Sequence, residues 1–151
     1  VINLFDYFSD PDGDILMYSL RGADDLVKCN ISNGKLTVKA LAIGKSVMTV
    51  TATDPSARSV AADVDVYVRN PDKPYDVYPN PVVDILNIGS GEDVTGKVIL
   101  YSSTGQKSYE NSVELNMYSP CQIDLSGLAP GRYRLVIDTT GSDYETDIIK
   151  L

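Results

Sequence analysis

The chain has 151 residues and a formal net charge of −8, and its longest basic cluster is Arg132 with Arg134. This charge argues against a nucleic-acid partner, because phosphate neutralisation needs a clustered Lys/Arg surface. The absence of His excludes Ser-His-Asp and Cys-His catalysis and any His-ligated metal site, and no apolar run is long enough to cross a bilayer as a helix.

The N-terminal half, residues 1–71, is predicted to consist of short strands joined by turns. Apolar and polar residues alternate over residues 4–8, 15–20, 26–31, 35–39, 48–53 and 60–69. Asn33-Gly34 is the strongest hairpin signal, because both residues tolerate the positive φ of a type I′ turn. One face of the last strand is expected to be buried and holds Val60, Ala62, Val64, Val66 and Val68. No helical period is present, which indicates an antiparallel β-sandwich.

An acidic turn follows the first of these strands. Asp10, Asp12 and Asp14 flank a Pro and a Gly, which supply the φ angles of a turn. Together with Asp54, these carboxylates could also supply oxygen ligands to calcium. An EF-hand is excluded because Arg21, not a bidentate Glu, stands at the twelfth position. We expect a solvated turn and no cofactor, with calcium binding as the alternative.

The two cysteines, Cys29 and Cys121, lie one in each half of the chain. Two isolated thiols cannot form a zinc site. We expect two small buried thiols; the alternative is a disulfide between the halves, which needs the two Cα atoms within bridging range.

The acidic turn also carries a resemblance. Residues 8–18, with the pattern Phe-Ser-Asp-Pro-Asp-Gly-Asp-x-Leu-x-Tyr, resemble the opening of cadherin-like, dystroglycan-type Ig-fold domains. Gly34-x-Leu36-Thr37 and the segment Thr-Val-Thr-Ala-Thr-Asp at residues 49–54 are similar to later strands of that family. The resemblance implies that the first strand of the domain lies upstream of Val1, so that this copy is truncated or starts late. Because residues 1–4 are strand-like from the first residue, we expect the chain to be the end of a longer protein.

A short linker separates the halves. The two prolines of Asn70-Pro71-Asp72-Lys73-Pro74 predict a stiff connection, which we place at residues 72–74. The second domain, residues 75–151, opens with Tyr78-Pro79-Asn80-Pro81, whose prolines exclude that segment from a central ladder. Strands are expected at residues 83–88, 97–101, 109–115, 133–137 and 144–151. The sequence thus predicts an all-β protein of two tandem, small, antiparallel β-sandwich domains of Ig-like type.

Four ordered motifs mark the second domain. They are Tyr-Pro-Asn-Pro with Val-x-Asp-x-Leu-x-Ile at residues 78–88, a strand with Gly105-Gln106, Asp-Leu-Ser-Gly-Leu-Ala-Pro-Gly-Arg-Tyr at 124–133, and Ile-Ile-Lys-Leu at 148–151. In this order they resemble the C-terminal sorting domain of the type IX secretion system of Bacteroidetes. The positions that match its motifs, and hence the candidate sorting residues, are Pro79, Asn80, Pro81, Gly105, Gly131, Tyr133 and Lys150.

The resemblance implies that the outer-membrane secretion machinery recognises the second domain as an address. It also implies cleavage near the start of that domain, followed by release or by attachment to a surface glycolipid, so the protein would be secreted or lie at the cell surface. We expect the prolines and glycines to set backbone geometry and Tyr133 to lie in the core. Exposed side chains near the terminal strand would make the recognition, and Lys150 would protect the open edge of that strand with its charge.

These inferences predict that the chain is the C-terminal region of an exported protein and is not itself an enzyme. An Ig-like spacer or adhesion module would precede the sorting domain. The alternative is the accessory tail of a secreted hydrolase, above all a protease, whose catalytic domain lies upstream of Val1.

Overall fold

A computed structural model describes all residues, 1–151, and the chain divides into two compact units, Val1–Val68 and Arg69–Leu151. Antiparallel strands make up both units, so the predicted all-β class is confirmed. The only helix is a three-residue 3-10 turn, and the chain therefore has no helix with the length and apolar character needed to cross a membrane.

Unit 1 contains two three-stranded antiparallel sheets. Its strands are β1 (Ile2–Asn3), β2 (Met17–Arg21), β3 (Val27–Ser32), β4 (Lys35–Ala40), β5 (Gly44–Thr53) and β6 (Ser59–Val68). The sheet orders are β1-β4-β3 and β2-β5-β6. The core consists of buried apolar side chains from both sheets, among them Leu36, Met48, Val50 and Ala52. The predicted hairpin between β3 and β4 is confirmed, with φ of 51° at Asn33 and 68° at Gly34.

The first predicted strand, residues 4–8, is wrong. Leu4–Asp6 form a 3-10 helix instead, and the N–H of Phe8 donates to the carbonyl of Leu4 at 3.0 Å. The N–H of Leu4 donates to the carbonyl of Gly34 at 2.7 Å. An extended segment would place Asp6 on the same face as Leu4 and Phe8, whereas this turn buries Leu4 and Phe8 in the core and leaves Asp6 exposed.

Strand β6 also departs from its predicted pattern. Its expected buried face is half-buried only from Val64 onward, whereas Val60 is 60% exposed and Ala62 is exposed. Val64, Val66 and Val68 pack against the core of unit 1, whereas Val60 and Ala62 lie beyond it. The alternation of apolar residues therefore predicted the strand correctly, but it predicted burial correctly only for the second half of the strand.

Unit 2 has a four-stranded and a three-stranded antiparallel sheet. Its strands are β7 (Tyr75–Tyr78), β8 (Ile85–Ser90), β9 (Val94–Ser102), β10 (Lys107–Leu115), β11 (Cys121–Asp124), β12 (Gly131–Thr139) and β13 (Asp143–Lys150). The orders are β10-β9-β12-β13 and β11-β8-β7. Fully buried side chains from both sheets form its core, including Leu86, Ile88, Leu100, Leu135 and Ile148. Strands β7 and β11 were not expected from the sequence.

A buried ion pair fixes the entry into unit 2. The Asp76 carboxylate is buried, lies 3.3 Å from Nε of Arg69 and accepts a hydrogen bond from the N–H of Asn70 at 3.1 Å. Arg69 also donates to the carbonyls of Lys73 and Pro74. Residues 72–74, the predicted linker, thus lie in a closed loop within unit 2, and the boundary between the units falls before Arg69.

Candidate functional site

Strand β13 is an edge strand, and a side chain caps part of its open edge. Asn80 lies between Pro79 and Pro81, which have no main-chain N–H to donate. The side-chain amide of Asn80 supplies a hydrogen-bond donor and an acceptor instead. Its Nδ2–H donates to the carbonyl of Asp147 at 3.0 Å, and its Oδ1 accepts from the N–H of Ile149 at 3.0 Å. Asn80 therefore bonds to β13 as the peptide group of a neighbouring strand would.

The main chain of Val82 continues this cap. Its N–H donates to the carbonyl of Ile149 at 2.8 Å, and its carbonyl accepts from the N–H of Leu151 at 2.9 Å. The two contacts form a parallel bridge between Val82 and Lys150. The Val82 side chain is fully buried in the core of unit 2. We call Asn80 and Val82 the edge clamp, because together they satisfy the outward main-chain groups of residues 147–151.

Lys150 does not present an exposed charge. Its side chain is only 6% exposed, its Nζ donates to the main-chain oxygen of Leu151 at 2.7 Å, and Nζ lies 3.9 Å from Oδ1 of Asp84. A buried ammonium needs such partners because desolvation is costly. The structure corrects the expectation that Lys150 protects the edge of β13: Asn80 does so, and Lys150 anchors the end of the strand.

The Asp-Leu-Ser motif packs beside the edge clamp. The N–H of the buried Leu125 donates to the carbonyl of Asp84 at 2.7 Å. Hydrogen bonds from the side chain and main chain of Ser126 lower the pKa of the Asp124 carboxyl below its ordinary value. The motif therefore forms a locally bonded turn that holds Asp84 against the terminal strand.

The remaining candidate residues have identifiable structural positions. Tyr133 is buried opposite Ile148, and its hydroxyl donates to the carbonyl of Ala129 at 2.9 Å. Gly131 pairs with Lys150 at the start of β12. Gly105 lies apart from them in the turn between β9 and β10, where its φ of 81° favours glycine. The structure thus brings all candidate sorting residues except Gly105 to β13 and its neighbours.

The exposed face of the same sheet carries paired charges. Arg132 forms an ion pair with Asp147, and Arg134 lies 3.9 Å from Glu145 and stacks over the Tyr101 ring at 5.3 Å. All four charged side chains are more than half exposed, so the pairs contribute little to stability. These side chains remain accessible to a partner.

The acidic turn of unit 1 is closed by its own hydrogen bonds. Oδ1 of Asp10 accepts from the N–H groups of Asp12 and Asp14, at 2.8 and 3.4 Å. Asp54 instead bonds Arg58 through both carboxylate oxygens. No group of three or more acidic or Cys side chains in the chain is arranged to hold a metal ion. Both cysteines are free thiols, and burial raises the pKa of Cys29 and of Cys121.

The sequence motif identified Asn80 as a candidate residue but did not reveal that its side chain bonds to the edge of β13. Its partners lie 67 and 69 residues away, beyond the range of any local pattern. The sequence did contain one chemical signal for this role. Pro79 and Pro81 lack main-chain N–H groups, and the Asn80 side-chain amide can supply both a donor and an acceptor in their place.

A known protein family matches most of the second domain. The family described as "Secretion system C-terminal sorting domain" matches residues 76–150. No curated protein matches the chain. Among solved structures, the chain is similar to dimeric latent PorU from Porphyromonas gingivalis, with 20% sequence identity and a TM-score of 0.37. The similarity covers 95% of this chain and 17% of the PorU chain.

The edge clamp predicts a specific stability effect. Asn80→Ala removes two hydrogen bonds and should lower the free energy of unfolding of unit 2 by about 1–2 kcal/mol. Differential scanning calorimetry should show the transition of unit 2 at a temperature roughly 5–10 °C lower. Asn111→Ala, an exposed strand position, is the matched control and should change stability by less than about 0.5 kcal/mol. Equal effects of the two substitutions would contradict the clamp.

The hydrogen bonds of the acidic turn predict that calcium does not change the thermal stability of unit 1. Because its amides already bind Asp10, millimolar calcium should leave the melting temperature of unit 1 unchanged. A ligand at one hundred times its dissociation constant would add about 2.7 kcal/mol, an easily measured increase. A rise in melting temperature that Asp12→Asn abolishes would instead establish a calcium site.

Proposed function

Because residues 76–150 belong to the secretion system C-terminal sorting domain family, we propose that this chain is the non-catalytic C-terminal region of an exported protein. In this proposal the second domain is the export address. Residues 1–71 form a cadherin-like spacer or adhesion module ahead of it. The family match is the observation that carries the proposal, and the clamped terminal strand supports it.

Membership of this family has direct consequences. A sorting domain is not catalytic in itself, it interacts with secretion machinery, and the protein that carries it is secreted or lies at the cell surface. We propose further that the machinery is the type IX system in the outer membrane of a Bacteroidetes cell. We also propose that the exported protein is attached to a surface glycolipid.

The geometry of unit 2 supports a folded address. Tyr133 lies in the core and Gly105 lies in a turn with positive φ, so these motif residues serve the fold of the domain. The exposed groups near the terminal strand include Asn80, Ile149 and the charged side chains of β12 and β13. A partner that recognises the folded domain would therefore contact this strand and its exposed neighbours.

A second arrangement has its own support. The chain lacks His and any grouped catalytic residues, so an activity of the parent protein would have to reside in another domain. A secreted hydrolase, above all a protease, with its catalytic domain upstream of Val1 would use this chain as an accessory tail. The residues that precede Val1 distinguish the arrangements: tandem cadherin-like repeats favour an adhesin, and a catalytic domain favours the hydrolase.

The export proposal predicts that unit 2 is a sufficient address. Residues 69–151, fused behind a Sec signal and an inert reporter, should send the reporter to the surface or medium of a host with type IX secretion. The fusion begins at Arg69 because Arg69 and Asn70 bind the buried Asp76. Deleting Asp147 to Leu151 should leave the reporter in the periplasm, since this removes the clamped part of β13.

Residues 1–68 on the same reporter are the matched control and should also remain periplasmic. Fractionation and immunoblotting measure each outcome. Export of the truncated fusion would show that the end of the strand is dispensable. Periplasmic retention of the intact fusion in a competent host would contradict the sorting function.

A further inference from the structure

The outward edge of β13 has two different halves. Main-chain groups in a strand face opposite sides with a period of two, and those of Asp147 and Ile149 that bind the edge clamp face away from β12. By the same period, the N–H and C=O groups of Asp143 and Glu145 also face away from β12. Neither a strand nor a side chain bonds to them. The first half of β13 is therefore an unpaired edge.

The exposed side chains that β13 itself contributes to this unpaired half are all acidic, and two of them face Arg132 and Arg134 of the neighbouring strand β12. The side chains of Asp143, Glu145 and Asp147 are all exposed. Asp143 has no ion-pair partner and lies opposite another carboxylate, Asp138. The opposite edge strand, β10, differs because it carries both signs of charge itself, with Lys107 paired to Glu110. A second copy of this chain would bring the same acidic row to the edge and be repelled.

The other face of this half is partly apolar. Tyr144 is half-buried and contacts the ring of Tyr75 edge-on, with ring centroids 5.5 Å apart, and it packs against the core of unit 2. An added strand would place alternate side chains beside Tyr144 and beside the acidic row. It would therefore need apolar residues at one set of alternate positions and Lys or Arg at the other.

We propose that the edge of β13 at residues 143–147 is the docking edge for an extended, Lys/Arg-bearing strand of the secretion machinery. This inference rests on the export function proposed above and specifies how the domain is recognised. Main-chain pairing would supply affinity, and the acidic row would supply specificity and orientation. The edge clamp would keep the adjacent half of the edge closed, so that the added strand pairs in one register.

Two variants of the full 151-residue chain, fused behind a Sec signal and a reporter, test the proposal: one changes only charge, and the other removes a main-chain donor together with a single carboxylate. Asp143→Lys with Glu145→Lys reverses the charge and leaves the backbone intact. Glu145→Pro removes an N–H that faces away from β12, a position at which an edge strand tolerates proline. Each should reduce the exported fraction by about tenfold, as expected when a docking contact weakens by roughly 1.4 kcal/mol.

Glu92→Lys with Glu114→Lys is the matched control, because both side chains are exposed, lack ion pairs and give the same change in charge. It should be exported like the unaltered fusion. The melting temperature of each variant shows whether it is folded, and the Lys pair remains decisive if the proline variant does not fold.

The outcomes separate the docking inference from the export function. If the unaltered fusion is not exported, the sorting function fails first. If it is exported and the folded Lys variant is exported equally well, the docking edge is wrong. If the control variant with Lys at positions 92 and 114 loses export equally, the effect is a general one of charge, and the docking inference is also wrong. Normal export of a folded Glu145→Pro variant overturns the strand pairing.

Discussion

The open edge of a terminal strand is the constraint on which unit 2 depends. An unpaired edge exposes main-chain donors and acceptors to unwanted partners, so folded proteins cover or charge it. Here Asn80 and Val82 bond the last residues of β13, and Asp84 lies beside Lys150 and accepts from Leu125. The segment that leads into β8 of one sheet is thereby fixed to β13 of the other. The same contacts therefore hold the two sheets of unit 2 together and protect the edge of β13.

The sequence predicted the fold well where local chemistry decides it. Asn33-Gly34 required a type I′ turn, and the alternation of Met48, Val50 and Ala52 required a strand with one buried face; both are present. It failed at residues 4–8, where three aromatic residues favour a strand by composition but a 3-10 turn buries Leu4 with Phe8. It also overestimated burial at Val60, because periodicity does not indicate how far the opposing sheet extends.

The candidate site was predictable only in part. The ordered motifs of the second domain indicated the family whose model matches residues 76–150, and the geometric roles of its glycines and of Tyr133 followed from residue type. The environment of Lys150 did not follow, because a lysine near an edge strand is usually exposed and this one is buried beside Asp84. The partners of Asn80 are contributed by a strand almost seventy residues away, and only tertiary structure brings them together.

Hydrogen exchange at individual amides of β13 tests the central role of the clamp most directly. Ile149 and Glu145 both have N–H groups that face away from β12, but only that of Ile149 is bonded, to Asn80. Nuclear magnetic resonance of the unaltered chain should show slow exchange at Ile149 and Leu151, close to that of the β12-bonded Ile148, and fast exchange at Glu145. If Ile149 exchanges as fast as Glu145, the clamp is not formed in solution and the account of this surface is wrong.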